Sequence, residues 1–328
     1  MEDLWSTLAQ LLVRVLQALG GTQSRVSPLY LAPFVLIAWV IYRRRASSRG
    51  DVGFWSWLFP RAIYRDPSTL TDVKLFVLNQ VLRAGGLISQ GFFGFMTYWG
   101  VQSALQAAFG EGTGLGLSAT GLGLVALTVV HAVAMDFALY WSHRWGHTVR
   151  YLWPLHSVHH SADVLSPVTV YRAHPVDNIF NALIGGVVMG TVAATLRFAL
   201  FEETTLIQYG GINAVLMIYY FFYANFRHSH IWISFPNALE HVLMSPAQHQ
   251  VHHSINPKHH HKNFGGFLAI WDWMFGSLCL SRDVGEISLG LSDEQGRKLP
   301  QPHPDMKTAL VAPLGESWRA IKSFRPVR

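Results

Sequence analysis

The chain has 328 residues, half of them hydrophobic and 13% charged, with a formal net charge of +6 and a mean hydropathy of +0.24. An ordinary soluble domain carries about 25% charged residues, so this composition argues against a soluble globular protein, and its apolar and aromatic content excludes a disordered chain. A single cysteine, Cys279, excludes a disulfide scaffold and any cysteine-rich zinc or iron–sulfur site, whereas the 17 histidines nearly match the 19 acidic residues.

Residues 4–19 read as an amphipathic helix interrupted by Arg14, lying at a membrane interface. The acidic start, Met1-Glu2-Asp3, lacks the positive n-region of a signal peptide. A bilayer crossing needs about 20 apolar residues. Residues 29–42, extended back to 26, form a first candidate span, with Pro33 inside it. Residues 84–101 and 115–135 form a hairpin of two uncharged helices, and 178–196 and 204–223 form a second. The loops between these spans alternate in charge. The stretch 43–74 holds Arg43, Arg44, Arg45, Arg49, Arg61, Arg65 and Lys74; 102–114 holds no Lys or Arg; 142–177 holds Arg144, Arg150 and Arg172; 198–205 holds none; and 11 basic residues follow Tyr223. Basic loops stay cytoplasmic, which puts 43–74, 142–177 and 224–328 on one cytoplasmic face. The expected fold is all-α: a polytopic membrane bundle of about four to six helices carrying a cytoplasmic helical cap. It divides into 1–75 (amphipathic helix, first span, basic loop), 76–283 (the membrane domain) and 284–328, a polar, loosely packed cytoplasmic tail.

Fifteen of the 17 histidines fall between 143 and 261, all in the segments assigned to that face. His143 and His147 are four apart in W-S-H-R-W-G-H. His156, His159 and His160 form H-x-x-H-H, and so do His249, His252 and His253. Residues three and four apart share one face of a helix, so each group presents two or three imidazoles in one direction. Neutral imidazole suits iron, zinc, copper and nickel. A closed zinc site uses four ligands, so eight ligands in three groups imply two metal ions. Unrelated surface histidines are a poor explanation for two H-x-x-H-H groups beside an H-x-x-x-H.

These boxes, in this order and parted by a hydrophobic hairpin, resemble the fatty acid hydroxylase/sterol desaturase superfamily of integral membrane oxygenases, in a bacterial-type member. Asp136, Tyr140, Trp141, His143, Arg144 and His147 match the D-x-x-x-Y-W-x-H-R-x-x-H pattern, and Leu152, Trp153, His156, His159, His160 and Ser161 the second block. Arg172, His174 and Pro175 follow as R-x-H-P. Phe226, His228 and Ser229 resemble a block with an extra ligand, and Ser245, Pro246, His249, His252, His253 and Ser254 form the third box. Asn263, Phe264 and Gly265, then Trp271, Asp272, Phe275 and Gly276, resemble the closing N-[YF]-G and W-D-x-x-F-G elements. The likeness covers roughly 80–280. It departs at His261, where Asp is frequent, at His230, where Asn is frequent, and in the extra His259 and His260; His174 reads as a contact and 259–261 as a solvated loop.

The resemblance implies an O2-dependent oxidoreductase that hydroxylates a membrane lipid, with a desaturase or C-methyl oxidase as the alternative within the family. It implies two iron ions, for which zinc can substitute in purified protein, held by His143, His147, His156, His159, His160, His228, His249, His252 and His253. Asp136, Asn263 and Asp272 are expected to stand behind the imidazoles. Electrons must come from a separate reductase, cytochrome or ferredoxin, because the G-x-G-x-x-A matches at Gly114 and Gly121 lie in or beside a span rather than after a strand. The basic stretch 43–74 reads first as a topology signal and second as a dock for an acidic partner; no nucleic acid is expected. The lipid could be an acyl chain, a ring or a headgroup, and an inner bacterial membrane is the expected location. A metal transporter would line its spans with ligands, yet only His131 lies mid-span. A zinc hydrolase would show H-E-x-x-H, which is absent.

Overall fold

The computed structural model describes residues 2–45, 52–112, 114–209 and 211–323; Arg49 of the basic stretch lies outside them. Helix α1 spans Glu2–Gly20 and α2 Pro28–Arg44. Pro28 sits at the first turn of α2, where its missing N–H costs nothing, and Arg43 and Arg44 close the helix where cations favour its dipole. Short helices α3 (Phe54–Leu58) and α4 (Arg61–Tyr64) lead to α5 (Pro67–Ala84), capped by the Asp66 carboxylate on the Ser68 N–H at 2.8 Å. Helix α6 (Gln90–Phe109) is capped by Ser89 and ended by Gly110, at φ +82°, a backbone few other residues adopt.

Helix α7 runs Gly121–Thr148 and α9 Pro175–Ala199, and by length and composition both could cross a bilayer. Between them α8 (Trp153–His160) turns back beneath α7. Helix α6 packs closely along α9 because glycines face each other: a Cβ on Gly190 would stand 2.4 Å from the Gly94 carbonyl oxygen, and one on Gly186 2.5 Å from Phe93 Cβ. Small residues allowing backbones to approach are how apolar helices pack without a hydrophobic drive between them. The opposite face of α6 exposes Phe92, Phe95, Met96 and Trp99, and α7 exposes Leu122, Val125, Val129 and Val130.

Three expectations need correction. First, 204–223 is not one helix. It opens irregularly, forms an antiparallel hairpin of β1 (Gln208–Tyr209) and β2 (Ile212–Asn213), and becomes helical only as α10 (Ala214–Tyr219), which continues through a π-turn, Tyr220–Ala224, into α11 (Asn225–Arg227). Thr204, Thr205 and Gly211, the last at φ +80°, disfavour helix there. Among the described residues two helices, α7 and α9, are long and apolar enough to cross a bilayer by length and composition. Second, 115–135 starts late and ends late: Leu117 bridges to Phe201, and the helix begins at Gly121 and runs on through the first histidine box. Third, the tail is not loose. After α12 (Asn237–Glu240), α13 (Pro246–His252) and α14 (Ile270–Met274), helix α15 (Met306–Lys322) packs on α8 and α5, with Leu75, Val158 and Ala309 forming a small core. Asp305 caps it through the Thr308 N–H at 2.9 Å.

Candidate metal centre

The four elements carrying the boxes converge. His143 and His147 stand one turn apart near the end of α7, and His156, His159 and His160 on α8; His228 follows α11, and His249, His252 and His253 lie on and just after α13. Helix α13 is fixed by a capping box, with Ser245 accepting from the Gln248 N–H at 3.1 Å while Gln248 accepts from the Ser245 N–H at 2.9 Å. Helix α8 lies close on α7 because residue 146 is glycine: a Cβ there would sit 3.0 Å from Cγ of His156.

The nine histidines sort into two adjoining groups, His143, His147, His156, His160 and His252 in one, and His159, His228, His249 and His253 in the other. Within each group the candidate ligand atoms lie within 4.8 Å of one another. Both groups can bind metal, on two observations. In the five-histidine group every Nε2 is buried and has no hydrogen-bond partner, a state native proteins avoid unless something else fills it. In the four-histidine group the Nε2 atoms crowd to 3.0 Å (His249–His228), 3.2 Å (His253–His228 and His253–His249) and 3.3 Å (His228–His159). Four nitrogens at about 2.0–2.1 Å from a tetrahedral ion stand about 3.3–3.4 Å apart, so this crowding is the spacing of a coordination shell.

The far ring nitrogens fix the tautomers. Nδ1 of His143 donates to the Phe264 carbonyl (2.8 Å), Nδ1 of His252 to Lys262 (2.6 Å), Nδ1 of His159 to Arg172 (3.2 Å), and Nδ1 of His156 to the Asp177 carboxylate (3.2 Å). With the proton on Nδ1, the Nε2 lone pair points inward. His249 differs: the Arg227 guanidinium donates to its Nδ1 at 2.5 Å, so the neutral ring carries its proton on Nε2 and would have to give it up to bind metal there. Burial, reinforced by neighbouring positive charge, holds His160, His228, His249, His252 and His253 well below the usual imidazole range and His159 at about 3. These rings are therefore neutral, the form that binds metal.

The acidic and amide residues expected behind the imidazoles do something else. Asp136, fully buried, accepts from the Phe267 N–H (2.7 Å), the Leu268 N–H (3.1 Å) and the Trp271 indole (3.0 Å), and touches neither an imidazole nor Arg144 or Arg150. Asp272 accepts from the Phe264 and Gly265 N–H groups, both at 2.8 Å, and burial raises its carboxyl to about 6. Asn263, at φ +57°, clips α13 to the chain after α14 through Gln248 and Cys279. Glu240 likewise holds Ser245 and Ser281 rather than a ring. Together they shape the 263–271 loop that presents the Phe264 carbonyl to His143. A short backbone carbonyl does the work expected of a carboxylate.

Asp177 was missed. It is the one carboxylate on an imidazole among the described residues. Its signal was an acidic residue in the first turn after R-x-H-P, which reads equally as a dipole partner of α9. Arg172 is buried and ion-paired to Asp72 at 2.8 Å, tying α5 to the second box. His174 caps α9 and donates to the Leu310 carbonyl; His230 donates to that of Trp57; His131 bonds Leu127 within α7; and 259–261, the end of a short 3-10 turn (Pro257–His259) and the residues after it, lies outside both groups.

Fold and site define a mostly helical protein, with two adjoining all-histidine groups able to bind metal, built at the end of an apolar, span-length helix. Residues 128–277 match the family model for fatty acid hydroxylase. The chain is 29% identical over 151 residues to alkylglycerol monooxygenase of Danio rerio, covering 46% of this chain and 30% of that protein. It is 26% identical over 149 residues to ornithine lipid hydroxylase of Rhizobium tropici (45% and 40%). It is 28% identical over 153 residues to putative Delta(7)-sterol-C5(6)-desaturase 2 of Arabidopsis thaliana (45% and 47%). The chain thus spans less than half the length of each of these relatives, and no solved structure matches it. Through its histidine-bearing region, residues 128–277, the chain is similar to the fatty acid hydroxylase family, and the relatives it matches are oxidoreductases.

Proposed function

We propose that the protein is an O2-dependent, di-iron oxygenase that hydroxylates a membrane lipid. The observation carrying this reading is the pair of groups itself: five buried Nε2 atoms without partners beside four crowded to coordination spacing. His143, His147, His156, His160 and His252 would hold one iron, and His159, His228, His249 and His253 the other. Bound iron supplies what no side chain can, oxidation of an unactivated C–H bond by O2. The chain's own part is positional. Carbonyls of Phe264, Lys262 and Arg172 and the Asp177 carboxylate hold the rings in register, burial keeps them neutral and keeps bulk water away, and the adjoining cavity receives the lipid.

Helices α7 and α9 would anchor a multi-pass protein in a bacterial inner membrane with the histidine face towards the cytoplasm. Two electrons per turnover would come from a separate cytochrome- or ferredoxin-type protein. Iron content and Mössbauer spectra of protein grown on iron-57 test the reading. It expects about two irons per chain, lost in a His159→Ala, His160→Ala double variant. Zinc alone, in an active preparation from iron-replete cells, would overturn it.

A further inference from the structure

Helix α15 turns its larger apolar side chains outward. Its buried residues are Ala309, Pro313 and Ser317, whereas Val311, Leu314, Trp318 and Ile321 are exposed, Val311 and Trp318 by 61% and 57%. At 3.6 residues per turn those four positions fall on one face, so they form a stripe rather than scattered exposure. A helix that only covered a core would point its large apolar residues inward. The stripe is also closed by charge of one sign. Lys307 stands four residues before Val311 and Lys322 four after Trp318, both exposed, and the Lys322 ammonium lies 5.1 Å from the centre of the Trp318 ring. Glu316, the one acidic residue within α15, lies on the opposite side of the helix.

Helix α5, beside it, does the same. Leu70, Val73, Val77 and Val81 are all exposed and share one face, with Lys74 among them. On one side of this stripe Thr71 donates to the Pro304 carbonyl at 3.0 Å, just before α15, and Leu75 packs with Ala309. On the other side Gln80 donates to the Ala18 carbonyl of α1. The α5 stripe therefore faces out between α15 and α1, and α1 adds exposed Trp5, Leu12 and Leu16.

Position and charge identify what covers this face. Helix α15 lies on α8, which follows directly on the end of the span-length α7, so with α7 as a span it sits at the depth of the lipid headgroups. A Trp-bearing apolar stripe closed by lysines is what an interfacial helix offers a bilayer: alkyl and indole groups sink to the acyl boundary and ammonium groups rise to the lipid phosphates. A second copy fits worse. A two-fold contact brings identical surfaces together. Paired parallel, Lys307 would meet Lys307; paired antiparallel, it would meet Lys322, with no carboxylate on either stripe to part them.

Resting on the reading of α7 as a membrane span, we propose that the outer face of α15, continued by the stripe of α5, lies on the surface of the leaflet and is held there by anionic phospholipids. Val158 of α8 packs on Ala309 at the inner side of α15. The docked layer thus seats α8, which carries the second histidine box, at a fixed depth against the leaflet.

Quenching of a fluorophore on the metal-loaded full chain tests this. In a Cys279→Ser background the label is placed at Val311→Cys, Leu314→Cys, Ile321→Cys or Glu316→Cys, and at Val125→Cys on the exposed face of α7 as a reference for the span. The protein is reconstituted in vesicles of phosphatidylcholine and phosphatidylglycerol, and quenching by doxyl phosphatidylcholine is divided by quenching by acrylamide. That lipid-to-water ratio should be several-fold higher at Val311, Leu314 and Ile321 than at Glu316. The double variant Lys307→Glu, Lys322→Glu should lower it at Leu314 by roughly fivefold or more in these vesicles, the effect of about one lysine at an anionic surface, and by much less in phosphatidylcholine alone. Stripe labels as open to acrylamide as Glu316, with Val125 in lipid, would overturn the proposal and leave the span standing. Stripe labels in lipid with Val125 in water would overturn the span and leave this face standing. Stripe labels shielded from both quenchers, with energy transfer between donor- and acceptor-labelled copies, would give the face to a second copy and overturn the lipid. An equal effect of charge reversal in both kinds of vesicle would overturn the role of the lysines.

Discussion

The two histidine groups sit side by side but are supported differently. The five-histidine group is backed by oxygen: two carbonyls and one carboxylate stand behind His143, His252 and His156. The four-histidine group has one carbonyl, behind His159, and a guanidinium against His249. Acceptors behind a ligand raise its basicity, while a cation there withdraws it. The groups also differ in number, so one has a ligand to spare and the other has none. Two candidate metal sites sharing helices α8 and α13 are thus chemically distinct, and a change can be aimed at either.

The largest effect separates them by stoichiometry. His228→Ala should lower bound metal from about two ions per chain to about one, whereas His147→Ala should keep nearly two, because four ligands remain. Both should lose activity. Elemental analysis checks this, and equal losses would erase the distinction.

Acid should weaken the metal-free protein strongly. Histidines whose folded range is depressed stay neutral while the unfolded chain takes up protons below about pH 6.5. Stability is therefore full above that pH and lost as pH falls from 6.5 towards 3, the range cited for His159. Asp272, raised to about 6, has the opposite sign between pH 6 and about 4, but it is one group against six. The urea midpoint of apo-protein should fall between pH 7.5 and pH 5 by more than that of metal-loaded protein.

A smaller effect tests the five-histidine group alone. Asp177→Asn should weaken its metal about 10–100-fold and leave the four-histidine group occupied, as seen in competition with a chelator. Smallest of all, Gly146→Ala would press on His156 across the α7–α8 contact, costing about 1–3 kcal/mol, measurable as a shift in the apo denaturation midpoint.

That eight of the nine histidines would face one site was legible because spacing of three and four has one geometric consequence on a helix; His228 was legible only through the family resemblance, and the split of each H-x-x-H-H box between the two groups was not legible. Which carboxylate meets which ring was not. Asp136 lies seven residues before His143 and shares its face of α7, yet its partners come from 267–271, a contact that no local periodicity carries. Asp177 touches His156 across a 21-residue separation, through a turn whose direction the sequence does not encode locally. The segment 204–223 misled because apolar content predicts burial or lipid contact and not helix; its threonines and glycines decide the backbone. The tail looked loose because α15 spreads few apolar residues along one face, with Ala309, Pro313 and Ser317 inward and Val311, Leu314 and Trp318 outward.

Asp136 also sets an order of birth. The carboxylate rides inside the span-length helix α7, and all three of its donors are encoded more than 130 residues later. A ribosome delivers the helix first, so this charge waits in an apolar segment until the 263–271 loop is made and wraps it. The last histidine of each group, His252 and His253, emerges only shortly before that loop. Neither histidine group is complete until the chain has passed His253, and a chain truncated before Phe267 would leave Asp136 without any of its three donors.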